Sequence, residues 1–369
     1  MTTGEEFLTA LEARGVTFLS GVPCSYFAAP LRLLADHERV SYVPAVNEGS
    51  ALAIAAGARL AGVPAGVLIQ NSGLGNLINP LTSLVLPYSI PLLVLMSMRG
   101  YPTAGPGEPQ HRLMGRVSTT WLDSMDLPYW HFEREGMPFV ELMAEVSKTL
   151  ESGRTCFVLV GKNAIEPPGP LAEPTGEGRV LRDDLVRALA AELRDEAVVS
   201  TTGYLSRAMF GAGDRPTNLY MQGSMGHAAG LAFGAALQRP DRRFVVLDGD
   251  GSMLMHLGGV ATIGRYAPRN LVHIVFDNGA YESTGAQPTA TSVDFAVVAE
   301  AAGYRHALLV ENTADLTAAV RAALALTGPI MLVVRGTVGG PAGDRASESM
   351  DVTAMAGRFT AAVTGRRPA

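Results

Sequence analysis

Short, unbroken apolar runs recur along the chain at residues 17–20, 65–70, 92–96 and 156–160. They lack the alternation of a strand with one wet face, so they predict parallel strands covered on both sides. Alanine-rich segments such as residues 50–61 lie between them and predict helices. The rhythm breaks at residues 166–178, EPPGPLAEPTGEG, a stretch rich in proline and glycine that reads as a linker. It then restarts, with a helix expected over 182–194 and strands over 197–200, 244–248, 272–277 and 330–334. The prediction is an α/β chain of two doubly wound parallel-sheet domains, residues 1–165 and 179–369. After Gly336 the chain turns Gly-, Ala- and Ser-rich, with a short helix expected near 352–363.

Composition narrows the picture without changing it. Of 369 residues, 47% are hydrophobic and 17% charged, enough to bury a substantial core. A formal net charge of −6 argues against a nucleic-acid binder, which needs clustered Lys and Arg. The most apolar stretch, residues 77–98, holds Asn79, Pro80, Ser83, Pro87, Ser89 and Pro91. Such a segment suits a loop, a helix and a buried strand better than a membrane span. Two cysteines, Cys24 and Cys156, and an acidic start without a signal pattern point to the cytoplasm.

The chemistry concentrates between residues 245 and 284. A strand, VVLD, ends in Gly249-Asp250-Gly251-Ser252; after a helix, VHIVFD ends in Asn278-Gly279-Ala280-Tyr281. Ligands of open parallel sheets bind at the carboxyl ends of strands, where both loops would lie. Asp250 and Asn278 are hard oxygen donors of the kind Mg²⁺ takes alongside phosphate oxygens and water. Gly249 and Gly251 would let the backbone approach a diphosphate, and Ser252 could donate to it. A lone Gly-Asp-Gly is more often a turn; the asparagine one strand later distinguishes this case.

This arrangement resembles the thiamine-diphosphate enzyme superfamily, whose signature is Gly-Asp-Gly followed by Asn at about this spacing. The resemblance implies a pyrimidine-binding domain followed by a diphosphate-binding domain. It also implies thiamine diphosphate and Mg²⁺ as cofactors, with Asp250, Asn278 and the Ala280 carbonyl holding the metal. In Val46-Asn47-Glu48-Gly49-Ser50-Ala51, Glu48 matches the glutamate that bonds the pyrimidine and sets its tautomer. In Gly223-Ser224-Met225-Gly226-His227, Met225 matches the apolar wedge beneath the cofactor, and the Gly223 carbonyl its pyrimidine acceptor. Thr202 and Gly203 would add cofactor contacts, while Tyr204 stands where a smaller or cationic residue is expected.

Within the superfamily the chain resembles the small phosphonopyruvate and sulfopyruvate decarboxylases, which lack a middle domain. That resemblance runs through Gly21-Val22-Pro23-Cys24-Ser25, Asn71 to Asn76, Pro109-Gln110-His111 and Gln287-Pro288-Thr289. It implies loss of CO₂ from a small acidic 2-oxo acid, phosphonopyruvate ahead of sulfopyruvate, as a step in phosphonate biosynthesis. The substrate's terminal dianion would meet Ser25, Arg99 and Arg112, and His111 or His227 would supply the proton that replaces CO₂. The cofactor would span two subunits, so at least a homodimer is expected, with no nucleic-acid or membrane partner. Rival readings are a carboligase of the acetolactate-synthase kind and a non-catalytic scaffold; the joint presence of Glu48, Asp250 and Asn278 disfavours the scaffold. Cys24 has no evident base beside it and reads as a small loop residue rather than a nucleophile.

Overall fold

Residues that alternate along one strand enter two different cores, which requires helices on both faces of the sheet. Leu93 and Leu95 pack with Phe7, Phe27 and Leu19, whereas Val94 and Met96 pack with Leu52, Val67 and Leu77. The computed structural model describes residues 1–102, 108–169, 179–289 and 293–365, in two units, Met1–Leu171 and Ala172–Ala369. Most of the expected linker, residues 170–178, lies outside the described residues.

The first unit carries β1 (Phe18–Gly21), β2 (Ser41–Pro44), β3 (Ala65–Gln70), β4 (Leu93–Ser97), β5 (Tyr129–Phe132) and β6 (Cys156–Val160). They form one parallel sheet in the order β2-β1-β3-β4-β6-β5. The apolar segment 77–98 resolves into a helix ending at Pro80, a π-helical turn Leu81–Val85 and then β4. The wide turn begins directly after the proline, whose missing N–H and ring disturb regular helical bonding.

The second unit contributes β7 (Val180–Leu181), β8 (Ala197–Ser200), β9 (Asn218–Tyr220), β10 (Phe244–Gly249) and β11 (Leu271–Asp277). A small hairpin, β12 (Ala280–Tyr281) with β13 (Gln287–Pro288), precedes β14 (His306–Val310) and β15 (Ile330–Thr337). The order is β14-β15-β11-β10-β8-β9, all parallel, with β7 beside the end of β15. The six main strands of each unit therefore follow one topology, as the doubly wound pattern predicts. In both, the chain leaves its first strand to one side and returns on the other, making a switch point at β1/β3 and at β8/β10. Loops leaving the carboxyl ends there form a natural ligand crevice. Among the described residues no helix is long and apolar enough to cross a membrane.

Candidate functional site

At the β1/β3 switch point of the first unit, one carboxylate is held in a shaped recess. Asn47 caps the helix Glu48–Leu60, its Oδ1 accepting from the Ser50 amide at 2.9 Å. Glu48 thus occupies the first helical turn, where the dipole favours a negative charge. It is buried, and its Oε2 accepts from Asn76 Nδ2 at 2.8 Å. Its other oxygen lies over Gly73, where a β-carbon would stand only 2.0 Å away. Glycine at 73 leaves the carboxylate the space that a side chain would otherwise fill.

Next to it, Asn71 joins the ends of β3 and β4: its Nδ2 donates to the Arg99 carbonyl at 2.9 Å and its Oδ1 accepts from the Arg99 amide at 3.1 Å. The Arg99 guanidinium donates to Ser25 Oγ and lies 4.4 Å from the Tyr26 ring centroid. Its Nε is buried without a hydrogen-bond partner among the described residues. The Cys24 thiol is buried, 3.1 Å from Ser97 Oγ and 3.5 Å from Gln70 Oε1. His111 enters through backbone contact with Gly100, and its Nε2 is 3.9 Å from Glu108 Oε2. Ser25, Arg99 and His111 thus gather at the ends of the first three central strands and the helix that follows. Arg112 is exposed and pairs with no carboxylate among the described residues.

In the second unit, the loops after β8, β10 and β11 converge at the other switch point. Asp250 is 3% exposed, and Thr289 Oγ1 donates to its Oδ2 at 2.7 Å. Burial pushes its carboxyl up to about 6, opposed by the Thr289 bond and by backbone donors at Gly251 and Gly279. Among the described residues no lysine or arginine neutralises it. On the neighbouring loop, Asn278 Oδ1 accepts from the Ala280 amide at 3.1 Å. Gly203, at φ +98°, lies against Ser283, so the β8 loop also reaches this end of the sheet.

Two of the expected diphosphate contacts are rearranged. Gly251 does not open a face to a ligand: a β-carbon there would meet the Tyr281 ring at 2.4 Å, so the missing side chain makes room for that ring. Gly249 is less crowded: a β-carbon there would meet Leu205 only at 3.6 Å, an ordinary packing distance. Ser252 is buried and turned inward, with its Oγ 2.8 Å from Thr201 Oγ1 and accepting from the Gly226 amide at 3.0 Å. The Thr202 hydroxyl likewise donates to the Gln222 carbonyl at 3.0 Å. These hydroxyls tie the loops together, because a short side chain leaving a sheet end reaches neighbouring backbone first.

The same bonds shape the turn that carries Gly223 and Met225. Ser224, at φ 57°, and Gly226, at φ 88°, both adopt left-handed backbone and set Met225 at a sharp bend. Such strain in a non-glycine residue marks a site the surroundings over-determine. His227 follows, its Nδ1 3.1 Å from Ser224 Oγ, and its ring lies 4.2 Å from that of His256. Burial, and then the His227 charge, holds the His256 imidazole below its ordinary pKa. His256 carries no local sequence signal, and although Asn76 and Thr289 lie in motifs of the resemblance, their contacts with Glu48 and Asp250 become visible only in the fold.

The residues suit the expected cofactor metal. A desolvated carboxylate, an amide oxygen and a backbone carbonyl are hard donors, and burial penalises the ionised Asp250 by about 3 kcal/mol relative to an exposed carboxylate, a penalty a divalent cation would offset. Comparison with known proteins bears on the organic cofactor. Residues 1–120 match the thiamine pyrophosphate enzyme N-terminal TPP binding domain, and residues 201–334 match the C-terminal TPP binding domain. Phosphonopyruvate decarboxylase of Streptomyces viridochromogenes is 40% identical over 354 residues, covering 90% of this chain and 88% of that protein. Its counterpart in Streptomyces hygroscopicus is 39% identical over 351 residues, covering 90% and 87%. Sulfopyruvate decarboxylase of Methanosarcina acetivorans is 31% identical over 342 residues, covering 86% and 87%. The chain belongs to the thiamine pyrophosphate enzyme family, in the group that holds the phosphonopyruvate and sulfopyruvate decarboxylases.

Proposed function

We propose that the protein is a Mg²⁺-dependent decarboxylase that converts phosphonopyruvate to phosphonoacetaldehyde and CO₂. The observation that carries the reading is Asp250, a buried carboxylate without a cationic side-chain partner among the described residues, at the switch point where hard oxygen donors converge. When bound, thiamine diphosphate supplies the electron sink that lets CO₂ depart. Asp250, Asn278 and the Ala280 carbonyl hold the metal that neutralises the diphosphate. The Gly249 backbone approaches that group, and Thr202 and Gly203 shape the loop beside it. The Gly223 carbonyl and the Met225 side chain position the pyrimidine ring. Glu48 holds a hydrogen bond to the pyrimidine nitrogen, with Asn76 fixing one oxygen so that the other is presented in one geometry.

Arg99 and Ser25 bind the substrate's terminal dianion, for which Arg99 retains a buried Nε with no hydrogen-bond partner among the described residues. Arg112, on the exposed side of its helix, is a weaker candidate for the same role. His111 and His227 are the proposed proton donors, with His256 able to relay to His227 across their ring contact. The phosphonate assignment rests on the greater identity to phosphonopyruvate decarboxylases than to the sulfopyruvate enzyme. At least a dimer is proposed, because the helix Ala228–Gln238 is apolar all round yet exposes Leu231 and Leu237, and the helix Glu48–Leu60 exposes Ile54 and Leu60. Two buried free thiols, Cys24 and Cys156, support a reducing cytoplasm.

With Mg²⁺ and thiamine diphosphate, CO₂ release from phosphonopyruvate, sulfopyruvate and pyruvate ranks the substrates. Phosphonopyruvate is expected to exceed pyruvate in kcat/KM by at least about tenfold, the worth of one charge-assisted contact. Equal or faster turnover of sulfopyruvate would move the assignment to the sulfonate. Gly73→Ala offers a local test: the added methyl displaces the Glu48 carboxylate, the mobile end of its side chain. Activity is expected to fall about 10- to 100-fold, as when a supporting residue is lost, with little change in melting temperature. Unaltered activity would detach Glu48 from the reaction.

A further inference from the structure

We propose that Glu282, clamped by Arg182, is a positioning residue that fixes which end of the Asn278 carboxamide can ligate the cofactor's metal. This rests on the metal site proposed above and assigns a role to residues that the sequence left without one. A carboxamide has an oxygen end and a nitrogen end of nearly the same shape, and only the oxygen coordinates a cation. A ligand asparagine therefore needs something that selects its orientation.

The selection is built into the loop after β11. Asn278 Nδ2 donates to Glu282 Oε2 at 3.4 Å, while Asn278 Oδ1 accepts from the Ala280 amide at 3.1 Å. Turning the amide over would aim N–H at N–H and carbonyl oxygen at carboxylate. Glu282 is itself restrained: its Oε1 forms an ion pair with Arg182 Nη1 at 2.8 Å and accepts from the Gly339 amide at 3.0 Å. With both oxygens engaged, Glu282 serves as an orienting group rather than a ligand.

Arg182 is 1% exposed, a burial that a guanidinium tolerates only when it is well partnered. Its Nη1 meets Glu282 as an ion pair without a hydrogen bond among the described residues, while Nε donates to Asp183 Oδ1 at 3.3 Å and Nη2 to the Pro341 carbonyl at 2.6 Å. The Tyr204 ring centroid is 5.2 Å from its Cζ. This accounts for the tyrosine found where a smaller or cationic side chain is expected: it covers the buried cation. The segment after Gly336 also acquires a purpose, since Gly339 and Pro341 hold the Glu282–Arg182 pair from the far side. The chain from Pro341 through Arg182 and Glu282 to Asn278 is continuous.

The test is Mn²⁺ affinity, read by electron paramagnetic resonance with saturating thiamine diphosphate, so that turnover plays no part. Glu282→Ala is expected to weaken Mn²⁺ binding about 10- to 100-fold, the usual cost of losing an orienting partner. In an Asn278→Asp background the side chain has two equivalent oxygens and needs no orientation. There, Glu282→Ala is expected to leave binding unchanged or to strengthen it by removing a like charge. An equal loss in both backgrounds, or none in the native one, overturns the proposal. Should Glu282→Ala fail to fold, Glu282→Gln keeps an oxygen acceptor of the same reach and is expected to lose less than about tenfold. A larger loss there would also overturn the proposal. If the native protein takes up no Mn²⁺ and thiamine diphosphate, the metal-site reading fails first, and a different result exposes each error.

Discussion

Glu48→Gln is expected to lower kcat/KM for decarboxylation by about 10²- to 10⁴-fold, the range for loss of a group that holds a proton in the reacting complex. Glutamine has the same length and can still accept from Asn76, so the recess over Gly73 stays filled. What it cannot do is exchange a proton with the pyrimidine nitrogen. Thiamine diphosphate affinity is therefore expected to stay within a few-fold, because diphosphate and metal contacts belong to other residues. Steady-state kinetics together with calorimetric titration separate these effects. A fully active variant would remove Glu48 from the chemistry, whatever its geometry.

Asp250→Ala is expected to have the opposite profile, failing at cofactor retention before any chemistry. The carboxylate contributes the full negative charge among the proposed ligands, and it sits desolvated, with no cationic side chain beside it among the described residues. Its loss is expected to weaken Mg²⁺-dependent thiamine diphosphate binding at least about a hundredfold by calorimetry. The same burial sets a pH dependence. With its pKa raised to about 6, the metal-free carboxyl takes up a proton as pH falls through 6, whereas the cation needs the ionised form. Metal affinity is thus expected to fall below about pH 6 and to level off above it. Affinity independent of pH across that range, or normal binding by Asp250→Ala, would place the metal elsewhere.

These experiments address residues that differ in how they can be found. Asp250 and Asn278 announce themselves, since each ends an apolar run and their spacing follows from two consecutive strands with one helix between. Glu48 is nearly as visible, at the head of an alanine-rich helix. Their supports are not. Thr289 reaches Asp250 from 39 residues away and Asn76 reaches Glu48 from 28, and no local pattern encodes such meetings. Hydroxyls drawn toward a ligand by sequence reasoning, Ser252 and Thr202, prove to bond within the protein.

The same division holds for the fold. The central strands β1, β3, β4, β6, β8, β10, β11 and β15 are legible because burial on both faces forces an unbroken apolar run. The edge strands β2, β5, β9 and β14 escape notice: β2 and β14 are only partly buried and β9 has only three residues. Their pairing depends on a neighbour's free edge more than on their own composition. By itself, then, the sequence determined the alternation of elements, the two-domain plan and the side chains that end the central strands, since these follow from local burial and spacing. Only the tertiary structure decided strand order, the packing of Tyr281 on Gly251 and the Arg182–Glu282 clamp. Those depend on distant segments competing for the same space and the same hydrogen bonds.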